Sequence, residues 1–169
     1  MTSFKLFNLK ARNLKRVRTK IDGMFLQVLA RDEILERLED INRSFDAIAI
    51  ITGFPEIWSQ SLPKANLVAD SDTLNLAQKK YDLIIHAMVL HHSNDLVGQV
   101  IQSNQALKPD GLFIGSCFGG QTLAELRAAL STAEAEICGG LSPRISPMAE
   151  IRDLGAILQR AGLALPVAD

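Results

Sequence analysis

A nearly unbroken apolar run from Tyr81 to Leu90 is followed at once by helical spacing and then by a second apolar run, Leu112 to Phe118. No other feature narrows the choice of folds as far. A strand buried on both faces of a parallel sheet reads as a continuous apolar run, because neither of its side-chain rows meets water. From Asp95 the apolar positions shift to Val97, Val100, Ile101 and Leu107, with Asn104 on the same face. This spacing predicts a helix capped by Asn94 or Asp95. Lys108-Pro109-Asp110-Gly111 stops it, since Pro109 disfavours helical backbone before it and Gly111 tolerates a turn. Strand, helix and strand in that order form a crossover unit, which is almost always right-handed.

The rest of the chain extends this unit on both sides. Asp22 to Asn42 carries Met24, Phe25, Val28, Leu29, Ile34, Leu35, Leu38 and Ile41 between charges, predicting one long or two short helices over one sheet face. Ala47 to Ile51 is a first buried strand, closed by Thr52-Gly53. Residues 54–62 suit a short helix with Pro55 in its first turn, and Ala65 to Ala69 a short strand that leaves Asp70-Ser71-Asp72 at its exit. Beyond Gly119-Gly120, Thr122 and Glu125 have the spacing of a capping box. Ser146-Pro147 suits the start of a last helix ended by Gly162, and Leu163 to Val167 reads as a final strand. Strands alternating with helices imply an open, mostly parallel sheet covered on both faces, with its ligand crevice outside the strands' carboxyl ends. That rule gathers Gly53, Asp70, the 86–92 segment and Gly115 to Gly120 at one rim.

Charge is uneven. Seven of the 18 basic residues lie in the first 20 positions, no acid precedes Asp22, and the remainder carries an excess of acids. The chain therefore divides into a basic arm, 1–21, and an α/β domain, 22–169. Three readings suit the arm: foremost a solvated lead-in, then a contact surface for an anionic ligand or partner, then a transit-like peptide. The longest apolar runs fall far short of the ~20 residues that a membrane span needs. Cys117 and Cys138 give neither a disulfide framework nor metal-ligand spacing, which suits a reducing compartment: cytoplasm, or mitochondrial matrix in a eukaryote.

His86, His91 and His92 do not make a metal set by spacing, because neighbours on a strand point to opposite faces. There is no nucleophile elbow and no phosphate-binding loop, and no motif points to nucleic acid.

The run Tyr81 to Ile85, Leu90-His91, Asn94-Asp95-Leu96 and Leu107 to Gly111 resembles the fourth and fifth strands of class I S-adenosylmethionine-dependent methyltransferases. Three later stretches, Gly119 to Arg127, Gly139 to Ile145 and Asp153 to Gly162, resemble the subgroup that holds a protein-arginine hydroxylase of respiratory complex I assembly. The malonyl-acyl-carrier-protein O-methyltransferases are a more distant branch. The resemblance implies a Rossmann-like, doubly wound sheet and methyl transfer to an unidentified acceptor. The alternative it carries is a non-methylating assembly factor or arginine hydroxylase with weak or no cofactor binding. It implies that Gly53, Asp70, Ser71, His86 and Leu90 line the cofactor, with Asp70 following the third strand, and that His91 is the base if one assists. A protein substrate or partner is also implied. The family's acid and glycine-rich turn after the first strand stand here as Ile50-Ile51-Thr52-Gly53-Phe54-Pro55, with one glycine and no acid. The second-strand region is shortened and the last strand absent, so either the chain is a fragment or a sheet edge is exposed through which two copies would pair.

Overall fold

The computed structural model of the protein describes residues 5–168. Four strands, β1 (Ile48–Thr52), β2 (Asn66–Ala69), β3 (Tyr81–Ala87) and β4 (Leu107–Ser116), form one wholly parallel sheet in the order β2-β1-β3-β4. Helices α1 (Leu9–Val17), α2 (Phe25–Asp40), α3 (Pro55–Trp58), α4 (Leu96–Ala106), α5 (Ala124–Cys138) and α6 (Ile151–Arg160) surround it. The α/β reading of the sequence is borne out.

The two inner strands explain the unbroken apolar runs. Every residue from Ala49 to Thr52 and from Leu83 to His91 is buried, and the period of two sorts the strand residues onto two faces. Ala49, Ile51 and Ile84 pack with Val68, Leu74 and Ala106 on the α4 side. Ile50, Leu83 and Ile85 pack with Met24, Ile34 and Trp58 on the α2 and α3 side. Each isoleucine among them is fully covered and stabilises the fold by roughly 2–3 kcal/mol.

Helix α4 starts at the predicted cap, Asp95, whose Oδ1 accepts the Gly98 N–H at 2.8 Å. Its buried face is rotated from the expected one and takes in Gln99, Val100, Ser103 and Ala106. The two polar members tolerate this position because both are satisfied: Ser103 Oγ donates to the Gln99 carbonyl at 2.8 Å, and Gln99 has partners on both sides of its amide.

Several local expectations are corrected. The strand ending at Ala69 pairs directly with β1, so Asp70 stands one strand away from β1 and not two. The predicted turn at residues 108–111 is absorbed into β4 as an irregularity between the Tyr81 and Leu83 registers, with Asp110 at φ 62. No capping box forms: Thr122 Oγ1 donates to the Gly119 carbonyl at 2.7 Å, and α5 begins after Leu123, which is left-handed at φ 58. The last helix starts at Ile151, not at Pro147. No final strand forms either. The Leu163 N–H closes α6 by donating to the Leu158 carbonyl at 3.1 Å, with Gly162 at φ 83, and Leu165 turns left-handed. Among the described residues the outer edges of β2 and β4 have no strand partner.

Candidate functional site

All four parallel strands end on the same side of the sheet, and that rim collects the polar groups that a buried sheet cannot hold. Gly53 follows β1, Asp70 follows β2, His86 is the last but one residue of β3, and a single 3-10 turn, Leu90–His92, follows it. Asp70 is buried although it carries a carboxylate, so it must have partners.

Those partners come from the basic arm, which is largely exposed but turns Arg12 and Arg16 onto the rim. Helix α1 lies over the rim and inserts two arginines one turn apart. Arg16 forms a two-pronged pair with Asp70, Nη1 to Oδ1 at 2.6 Å and Nη2 to Oδ2 at 2.9 Å. Arg12 donates from Nη2 to the Asp70 carbonyl at 3.0 Å and from Nη1 to the His92 carbonyl at 3.2 Å, and its Nη1 lies 3.0 Å from Asp70 Oδ2. The Arg16 guanidinium also sits over the Phe54 ring, 5.6 Å from its centre. It crosses the backbone so closely that a Cβ on Gly53 would meet Arg16 Cζ at 2.3 Å. Ahead of α1, Asn94 clasps the backbone of Phe7 from both sides. It accepts the Phe7 N–H at 2.7 Å and donates to the Phe7 carbonyl at 3.1 Å.

Below this layer, His86 is fully buried. Its Nε2 bonds Gln99 Oε1 at 3.1 Å, and Gln99 Nε2 donates to the Ser71 carbonyl at 2.8 Å, tying β3, α4 and the loop after β2 together. Because the Gln99 oxygen can only accept, the His86 proton is on Nε2. Its Nδ1 is an acceptor without a partner. Burial lowers the His86 pKa to about 4. His91 Nδ1 accepts the Phe118 N–H at 3.3 Å, which fixes a neutral ring with its proton on Nε2, a donor rather than a base. Burial, and then the charges of His92 and Arg16, hold the His91 pKa down to about 3. The His91 and His92 rings lie 4.1 Å apart, and burial followed by Arg16 and Arg12 also lowers the His92 pKa.

The residues singled out from the sequence fall into two sets. Gly53 and Asp70 lie together under Arg16, and Ser71, itself exposed, joins them to His86 through Gln99. Leu90 and His91 line a separate cavity of about 140 Å³, together with Phe7, Leu96, Phe118 and Leu154. None of Gly53, Asp70, Ser71 and His86 borders that cavity. Sequence reading missed Arg12, Arg16 and Gln99. The spacing of four between the two arginines, within a segment free of acids, was the available signal.

Residues 22–115 match the family described as a methyltransferase domain. The chain is 46% identical over 101 residues to the arginine-hydroxylase NDUFAF5, mitochondrial, of Mus musculus, covering 60% of this chain and 29% of that protein. It is 40% identical over 124 residues to the Homo sapiens protein of the same name, covering 73% and 36%. Over 143 residues it is 31% identical to a malonyl-[acyl-carrier protein] O-methyltransferase of Xylella fastidiosa, covering 85% and 42%. The chain thus spans about a third of the length of the arginine hydroxylases it matches. The crystal structure of a SAM-dependent methyltransferase from Thermotoga maritima shares the fold with a TM-score of 0.59 at 11% identity, covering 89% of this chain and 80% of that one. Among the described residues no helix is long and apolar enough to cross a membrane.

Without α1, the rim would offer S-adenosylmethionine the Asp70 carboxylate and, at Gly53, a backbone with no Cβ in the way. The space over Gly53 and Asp70 is taken by two guanidinium groups, so with α1 seated the cofactor does not fit.

Proposed function

The chain belongs to the methyltransferase-domain family, and from that premise we propose that it is a methyltransferase-type protein that binds S-adenosylmethionine at this rim once α1 is withdrawn. The cofactor would supply an electrophilic methyl group to an acceptor held nearby. One observation carries the reading: Gly53, Asp70 and the Ser71–Gln99–His86 chain converge at the carboxyl ends of adjacent parallel strands. In this reading Asp70 holds the nucleoside end, Gly53 lets the ligand approach the backbone, and His86 Nδ1 takes a hydrogen bond from it. The cavity beside Leu90 and His91 lies where an acceptor would enter, with His91 orienting it through the proton on Nε2. Catalysis of this kind is mostly alignment. The test is calorimetry with S-adenosylmethionine and S-adenosylhomocysteine. Micromolar binding lost in Asp70→Ala supports the reading, and absence of heat at millimolar ligand both in the unmodified chain and in R12Q/R16Q refutes it.

A second reading, assembly factor or arginine hydroxylase, is favoured by a different observation. The rim already behaves as a guanidinium receptor, offering a carboxylate, two backbone carbonyls and the Phe54 ring. A partner's arginine would use the same groups. Titration with an arginine-containing peptide that frees α1 would support it, and a peptide that leaves α1 in place would count against it. The unpaired edge of β4 supports pairing with a second copy, which light scattering at micromolar concentration checks directly.

A further inference from the structure

We propose that α1 is a reversible internal stopper of the rim, held mainly by polar contacts and built to come out. This rests on the reading that the rim receives a ligand at Asp70. Helix α1 buries no residue, as α5 and α6 also do not; of its larger apolar side chains Leu9 is half-buried, while Leu14 and Val17 are 52% and 84% exposed. What secures it is polar: the fork from Arg16 to Asp70, the three-way grip of Arg12, and the Phe7–Asn94 clasp. A helix held by apolar burial resists detachment roughly in proportion to the area covered, whereas polar grips can be exchanged for water or for a ligand's own groups.

The fit is also incomplete. Arg12 Nε is buried without an acceptor. Such an orphan raises the free energy of the seated form relative to one in which water or a ligand reaches it. The segment that would act as hinge is short and lightly tied. Between α1 and Met24, which is anchored in the core, lie residues 18–23, with one 3-10 turn ending in Gly23, around which nothing lies within 4 Å of a Cβ position. Exposed Lys10, Lys15, Arg18 and Lys20 surround the two half-buried arginines, so weakening the charge attraction acts on the whole helix together.

The experiment has a ligand-free arm and a ligand arm. Hydrogen exchange of residues 9–17 is measured in the full chain and in Asp70→Asn. The expected result is at least tenfold faster exchange in the variant, and unchanged protection overturns the stopper whatever the ligand does. In the second arm, S-adenosylhomocysteine is titrated into the full chain and into R12Q/R16Q. The double variant is expected to bind at least tenfold more tightly, with the same probe speeding exchange of residues 9–17 in the unmodified chain. Equal, measurable affinity in both proteins overturns the stopper and leaves the methyl-donor reading standing. No heat with R12Q/R16Q at millimolar probe overturns both.

Discussion

The chain pairs arginine with a carboxylate in two very different settings. At the rim, Asp70 meets Arg12 and Arg16 with side-chain exposures of 5%, 13% and 15%, across 58 and 54 residues of sequence. On α5, Glu134 accepts the Ser142 N–H at 2.9 Å, the Ser142 hydroxyl, and Arg144 Nε at 2.7 Å. That second cluster spans only a helix and its following loop, and Arg144 is 56% exposed. The chemistry is the same, but what it decides is not. Local, wet contacts staple a loop. Dry contacts between distant segments determine whether the carboxyl rim is open or shut. Neither is by itself a measure of stability, because burying charge costs about as much as pairing it returns.

Acid separates the two clusters most strongly. All three histidines stand at the rim, and His86 and His91 remain neutral when folded, with pKa values of about 4 and about 3 against an ordinary 6.5. The unfolded chain binds these protons first, so stability is full above 6.5 and falls as pH drops toward 4. The loss is roughly 1.4 kcal/mol per pH unit for each ring, or about 4 kcal/mol by pH 5. Glu134, pulled down to about 2 by the Ser142 hydroxyl, then by the Ser142 N–H and Arg144, loses its contribution only below its unfolded value of 4.5. Urea unfolding from pH 7 to 5 is expected to show the rim's slope. A flat profile there would erase the distinction.

Next in size, Asp70→Ala leaves two guanidinium groups facing one another and is expected to lower stability by about 3 kcal/mol, read from the urea midpoint. Gly53→Ala places a methyl group 2.3 Å from Arg16 Cζ. It is expected to cost about 1–3 kcal/mol, or to free α1 instead, and hydrogen exchange tells these outcomes apart. Smallest is Arg144→Ala, which should leave the unfolding midpoint in place while residues 139–146 exchange faster. A midpoint shift as large as that of Asp70→Ala would mean that the outer cluster matters as much as the rim.

Sequence carried the sheet well and the site only in part. Strands β1 and β3 were legible because burial on both faces leaves uninterrupted runs such as Ala47 to Ile51, and Asp95 was legible because a cap has a fixed place before its helix. The rim residues Gly53, Asp70 and His86 followed from one topological rule. The arginines of α1 did not, since their spacing of four marks one helix face but not the carboxylate 54 residues away on which it docks. Gln99 escaped for a related reason. A polar residue in an amphipathic helix reads as solvent-facing until the histidine and carbonyl that satisfy it are known. The missed last strand came from treating Leu163 as a sheet residue, whereas its N–H closes α6.

The very short α3 sends the chain's single tryptophan, Trp58, inward on the face of the sheet lined by Ile34 and Ile85. The residue is 1% exposed and sits in the cluster on which Phe54 packs. Fluorescence from this one native chromophore therefore reports collapse of the hydrophobic interior. An optical melt and an exchange experiment on the same sample can thus distinguish global unfolding from the departure of a single helix, with no label added.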